Sequence, residues 1–241
     1  MRDNFKPFIF LIFLSAELAI GMESNQAIEN ARSSDAVDIE QVLQQNLERL
    51  KIDQQVAADN LAKQSADDLL RNPQTPTLGN PNGDVTIVKF FDYQCTFCKA
   101  AEPRLREVLK NDGNIKLVVK EFPILSSVSL IASKAALASV YQNKYEIYHK
   151  ALIDHRGPMD QERVFIIAAR VGLDLEQLQK DMDRSEVADQ IISNFNLARK
   201  LKVRVVPGFI VNTHVLSGLS SETVTAKIDF RKEVEAARSR P

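Results

Sequence analysis

The stretch FFDYQCTFCKAAEPRL, residues 90–105, holds both cysteines of this 241-residue chain, Cys95 and Cys98, three positions apart. A disulfide between them would close a very short loop. Loop-closure stabilisation grows with loop length, so as a brace it would do little. Structural zinc takes four ligands, and only His149, His155 and His214 are available to join the pair, at no ligand spacing. No metal site is therefore expected, and the three histidines read as core or surface residues. A redox pair is the leading reading. Upstream, DVTIVKFFDY from Asp84 is β-branched, aromatic and nearly continuous in apolarity, as a buried strand is. Phe91 and Tyr93 read as packing residues. Downstream, KAAEPRLREVLKNDG places Leu105, Val108 and Leu109 on one helical side and Gly113 at the stop, with Pro103 expected to kink the helix. The cysteines thus sit where a strand ends and a helix begins. The free N–H groups and dipole of the helix start favour a thiolate on Cys95. Cys98, one turn in, is expected to be shielded.

Composition sets the frame. Hydrophobic content of 44% and charged content of 26% describe an ordinary globular chain, long enough for one or two domains. A formal net charge of −1 supplies no field for nucleic acid, and nucleic-acid, P-loop and dinucleotide-binding signatures are missing, so neither a nucleic-acid partner nor a cofactor is expected. Residues 1–21 run from Arg2 and Lys6 through an apolar stretch at Phe8–Leu14 to small residues at Ala19 and Gly21. That is the order of a secretory signal, and too short for a membrane span. Export to the periplasm is expected, and outside the cytosol paired thiols are the norm.

The segment DVTIVKFFDYQCTFCK resembles the active site of the DsbA-like branch of the thioredoxin superfamily, exported thiol–disulfide oxidoreductases. The likeness continues through IKLVVKEFPIL (115–125), ASKAALASVYQNKYEIYHKALI (132–153) and VRVVPGFIVN (203–212), four blocks in order over roughly residues 70–240. It implies an α/β fold, thioredoxin-like over 73–241 with a helical insertion at about 126–202. It also implies roles. Cys95 is the nucleophile and Cys98 resolves the mixed disulfide. Pro207 is the cis-proline facing the pair, with the Val206 backbone left to bind a substrate strand. Thr96 and Phe97 tune the first thiol. DsbA itself carries Pro-His between its cysteines, so the imidazole contribution is lost here. The family also places an acidic residue six positions before the first cysteine, where this chain has Lys89. Lys89 either tunes a thiolate electrostatically or snorkels to the surface. The implied partners are unfolded or misfolded exported proteins with cysteines, and a membrane redox partner.

The remaining pattern agrees with that architecture. MDQERVFIIAARVGL (159–173) and SEVADQIISNFNLARKL (185–201) repeat apolar residues at three- and four-residue steps. Short β runs follow at Phe209–Val211 and Val215–Leu216, then a last helix from Ser220–Ser221 through Val224, Ile228 and Val234. Residues 22–72 lack Gly, Pro, Cys and aromatics. In SSDAVDIEQVLQQNLERL (33–50), Asp35 serves as an N-cap and Ile39, Leu43, Leu47 and Leu50 form one stripe; a second helical piece follows Asp53. RNPQTPTLGNPNG (71–83) reads as a linker. Such a stripe needs a partner, either the catalytic domain or a second copy. Pairing into a homo-oligomer, a homodimer in the simplest case, with isomerase beside oxidase activity is the expectation. A monomeric DsbA-type oxidase and a non-enzymatic chaperone on the same fold are the alternatives.

Overall fold

The computed structural model describes residues 39–216 and 228–240. The signal segment 1–21, the Asp35 cap, and the Ser220–Ser221 start and Val224 of the last helix lie outside the described residues. The chain divides into two units, 1–54 and 55–241.

Helix α1 covers 39–64. In the first unit its residues 39–54 are all exposed, and Ile39, Leu43, Leu47 and Leu50 are each more than half exposed. The expected break into two pieces near Asp53 does not occur. No Gly or Pro interrupts the run, so nothing in it stops the helical hydrogen-bond ladder.

In the second unit, Ala62 and Leu69 are fully buried, so residues 55–71 contribute to its core, whereas the sequence pattern sets the boundary at 72. A π turn, Asp67–Arg71, follows α1. Its carbonyls are captured from the sheet: Lys120 Nζ donates to Asp68 O at 2.8 Å and Lys116 Nζ to Leu70 O at 3.0 Å. Terminal carbonyls of a helix need such partners.

Five strands run β1 (Thr77–Gly79), β2 (Val85–Phe91), β3 (Ile115–Glu121), β4 (Gly208–Val211) and β5 (His214–Val215), in spatial order β1-β3-β2-β4-β5. β2 and β3 pair in parallel, from Val85 opposite Ile115 to Phe91 opposite Glu121. Helix α2 (Thr96–Asp112) makes the crossover between them. Both strands are buried at five of their last six positions or better, which is why they read as unbroken apolar runs. β4 joins β2 antiparallel and β5 joins β4.

β1 corrects the linker reading. It pairs antiparallel with β3, Thr77 opposite Val118. Three residues among Pro, Gly and Asn give too short a run to reveal alternation. Gly79 ends it at φ 72°, where a Cβ would lie 2.5 Å from Ile115 O. Only glycine fits that approach.

Between β3 and β4 lie α3 (Ser127–Ala138), α4 (Tyr145–Asp154), α5 (Gln161–Arg170), α6 (Leu175–Met182) and α7 (Ser185–Lys200), the inserted helical block. The last described helix, α8 (Phe230–Ser239), is capped by Asp229, whose side chain accepts from Lys232 N at 3.3 Å. Ile228 precedes this helix instead of lying within it. The fold is mixed α/β and thioredoxin-like, with a helical insertion and a helix before it. Among the described residues no helix is long and apolar enough to cross a membrane.

Candidate active site

Cys95 is the N-cap of α2. Its sulfur accepts the Cys98 N–H at 3.1 Å, and as a thiol it donates to Val206 O at 3.4 Å. A helix start carries unpaired N–H groups, and a sulfur placed there has donors waiting for its negative charge. The Cys95 thiol is pulled below the ordinary cysteine range, chiefly by hydrogen bonding from the Cys98 side chain. Burial opposes this, the backbone N–H groups of Cys98 and Phe97 add to it, and the Asp92 charge opposes it. Cys98 is pushed the other way, well up, first by burial and then by its bond and charge interaction with Cys95; the Lys89 charge counteracts in part. Both cysteines are buried, Cys95 at 4% and Cys98 at 2% exposure, and they differ in charge instead: a thiolate favoured at the helix start beside a thiol kept neutral is the division that exchange chemistry requires.

Thr96 is exposed and Phe97 half-buried, beside the pair. The Val206–Pro207 peptide bond is cis, and both residues are buried, with the Val206 carbonyl turned to the Cys95 sulfur. Neighbouring Val205 is half exposed. Lys89 does not snorkel. It is 1% exposed, pairs with Glu102 at 2.7 Å, approaches His149 Nε2 at 3.4 Å and stands 4.8 Å over the Phe91 ring. His149 lies in the core, and burial, then the Lys89 charge, hold it well below the usual imidazole range. Phe91 and Tyr93 are core residues. Helix α2 runs through Pro103 without interruption.

Two site residues escaped the sequence reading. Asp92, fully buried, accepts Gln94 N–H at 2.8 Å on one oxygen and the N–H groups of Ile124 and Leu125, each at 3.0 Å, on the other. Its backbone oxygen accepts Cys95 N–H at 3.1 Å. It therefore fixes the cysteine loop against the loop after β3. Its signal was an acid placed three residues before a cysteine. Glu102, the Lys89 partner, sits one turn after Cys98, where a helical i,i+4 reading would have put it on the same face. Among the described residues no cluster of three or more His, Cys, Asp or Glu side chains could hold a metal ion.

A family model described as thioredoxin matches residues 71–230, well over half of the chain. A solved thioredoxin-like oxidoreductase from Silicibacter pomeroyi is 39% identical, covers 73% of this chain and 98% of its own, and superposes with a TM-score of 0.67. The thiol–disulfide exchange protein alpha-DsbA2 of Wolbachia pipientis is 26% identical, with coverage of 76% and 97% and a TM-score of 0.66. A "Probable disulfide bond formation protein D" of Bacillus anthracis is 25% identical over 166 residues, 64% of this chain and 76% of that protein. The first curated matches are Na(+)/H(+) antiporters, of whose length the chain spans 21% and 26%. By the extent of the family match and the likeness to these relatives, the chain belongs to the thioredoxin family, in its DsbA-like branch.

Proposed function

We propose that this chain is an exported thiol–disulfide oxidoreductase acting on the disulfides of folding proteins. The observation that carries the reading is the Cys95 sulfur at the α2 N-terminus, 3.1 Å from the Cys98 N–H and 3.4 Å from the carbonyl before Pro207. In the reducing direction the Cys95 thiolate attacks a client disulfide and one client sulfur leaves as a thiolate. Cys98 then attacks the Cys95 sulfur, closing the enzyme disulfide and releasing the second client thiolate. Oxidation of a client dithiol is the reverse sequence. Thr96, Phe97 and Lys89 set the stability of the two thiolates, and Val206 and Pro207 line the approach to them.

Self-association through residues 22–72 and isomerase activity belong to the same proposal. The support is the exposed row Ile39, Leu43, Leu47 and Leu50 in the first unit. A fully buried Leu or Ile side chain is worth roughly 1.5–3 kcal/mol, so four per chain suffice for a subunit contact. Paired chains could hold a misfolded client at one cysteine centre while another attacks. Export rests on the signal-like residues 1–21, and resetting of the cysteine pair is assigned to a membrane redox partner.

The test compares wild type, Cys95→Ser and a Leu43→Glu/Leu47→Glu/Leu50→Glu variant on a reduced and on a scrambled client. Loss of both activities in Cys95→Ser is expected. The triple variant should be monomeric and lose isomerisation while keeping dithiol oxidation. Full activity of Cys95→Ser overturns the enzyme reading, and a monomeric wild type overturns the assembly.

A further inference from the structure

Four positive side chains gather where the cysteine helix α2 meets the end of α4, and one carboxylate serves two of them. Asp154 accepts from Arg106 Nη1 at 2.7 Å and from Lys150 Nζ at 3.0 Å. Lys99 and Arg156 are left with backbone oxygens. Lys99 Nζ donates to His155 O at 2.8 Å. Arg156 Nη1 donates to the carbonyls of Ile153, Asp154 and His155 at 3.1, 3.0 and 3.4 Å. An ammonium and a guanidinium thus converge on the His155 oxygen, and among the described residues neither has a carboxylate partner.

Carbonyls at the end of a helix attract cations, and that accounts for the Nη1 contacts. It does not account for the rest. A helix end carries about half a negative charge, against two full positive charges here. Arg156 Nε and Nη2 have no hydrogen-bond partner among the described residues. These two nitrogens form one edge of the guanidinium, an edge that takes both oxygens of a carboxylate. Arg238 shows the fit within this chain: it holds Asp84 with Nε at 2.9 Å and Nη2 at 2.8 Å. Asp160, the next acid after Arg156, is occupied as the cap of α5, accepting Arg163 N–H at 2.7 Å. Burial, and then the Arg156 charge, lower the Lys99 pKa, as neighbouring cations short of a counter-charge do. The Asp92 charge opposes this, but its two oxygens already hold three backbone N–H groups.

This pair of cations adjoins the redox centre. Lys99 follows Cys98 on α2, and its N–H donates to Cys95 O at 3.1 Å. Lys99 is 9% exposed and backs the site, whereas Arg156 is exposed and opens it to solvent.

We propose that Lys99 and the Nε–Nη2 edge of Arg156 form a carboxylate-binding site beside the cysteine pair, which takes an acidic side chain of the client near its reacting cysteine. This rests on the thiol–disulfide exchange reading. One helical turn and a lysine stem separate the site from Cys95, and about three residues of extended client, at ~3.3 Å each, cover such a span. A client acid at that spacing is drawn to the cysteine centre and held there in register. A client lysine at the same place is repelled. The site therefore selects among clients by charge, independently of their apolar contacts.

The probe is one unstructured dithiol peptide made in three forms, with Asp, Asn or Lys three residues from its first cysteine. The full-length protein, with Cys95 and Cys98 joined as a disulfide, oxidises each peptide, and the second-order rates are compared. Wild type should prefer the Asp form over the Lys form by about tenfold at low salt, and the preference should shrink towards unity in about 0.5 M salt. Arg156→Gln should remove most of the preference, Arg156→Glu should reverse it, and Arg156→Lys should keep part of it. Each peptide is compared across variants, so the intrinsic reactivity of its thiols cancels, and a ratio is unmoved by a general loss of active protein. A wild type with equal rates on the Asp and Lys forms overturns the site. So does an Arg156→Gln or Arg156→Glu protein that keeps the wild-type ratio. A wild type that oxidises none of the three peptides overturns the exchange reading, and the site with it.

Discussion

Lys89 and Glu102 form a 2.7 Å ion pair with neither side chain more than 4% exposed, tying β2 to the cysteine helix α2. Removing one partner of such a pair leaves an uncompensated buried charge, at a cost of about 3–5 kcal/mol. Lys89→Met is therefore expected to lower the unfolding free energy of the reduced protein by that amount. Lys89→Met with Glu102→Leu, which removes both charges, should recover most of it. Urea unfolding of the three proteins decides this, and equal stability of single and double variants would show that the charges are solvated after all.

The Cys95 thiolate depends first on its neighbour. Hydrogen bonding from the Cys98 side chain is the largest cause of its lowered pKa. Cys98→Ala should raise the Cys95 pKa, whereas Cys98→Ser, which keeps a hydroxyl donor, should raise it less. Thiolate absorbance titrated from pH 4 to 10 measures both. An unmoved Cys95 in Cys98→Ala would assign the effect to the backbone N–H groups of the helix start alone.

Stability should depend on pH with opposite signs on the two flanks. Glu121 has a folded pKa near 8, above its unfolded 4.5. Its contribution is full below 4.5 and is lost as pH rises through 8, at up to ~1.4 kcal/mol for each pH unit. His149 has a folded pKa below its unfolded 6.5. Its contribution is present above 6.5 and is lost as pH falls. Denaturation midpoints should therefore fall between pH 6 and 8 for wild type and stay flatter for Glu121→Gln. A parallel slope in both proteins would remove Glu121 as the cause.

How much of this was visible beforehand follows from the range of each interaction. Cys95, Cys98, the strand before them and the Gly113 stop are local patterns, and the residues themselves spell them out. The cis Val206–Pro207 bond is legible only through resemblance, whereas helices of the insertion also show in the three- and four-residue apolar steps of 159–173 and 185–201. Lys89 stands out as a departure from the family's acid, but a basic residue in an apolar strand does not name its partner, and Glu102 lies thirteen positions away. The buried contacts of Lys89 with His149, of His149 with Tyr93 and of Tyr93 with Glu121 bring together β2, α4 and β3, so no window of sequence contains them. β1 was missed for the opposite reason: it is three residues long, and its pairing is decided by β3 alone.

A last expectation concerns the free edge of the sheet. β5 is two residues long, and its outer backbone is satisfied by side chains of α1 within the second unit. Asp59 Oδ1 accepts Val215 N–H at 2.9 Å, Gln55 Nε2 donates to Val215 O at 2.7 Å, and Asp59 Oδ2 meets His214 Nδ1 at 2.8 Å. An unpaired edge is a site for unwanted strand addition, so a helix that fills its donors and acceptors does protective work. Asp59→Ala leaves the Val215 N–H without its acceptor, which should cost about 1–3 kcal/mol and open that amide to exchange. Asp59→Asn retains a carbonyl oxygen for the same N–H and should keep most of the protection. Hydrogen exchange at Val215 in both variants distinguishes the two. Wild-type protection in Asp59→Ala would mean that the β4 pairing alone holds this strand.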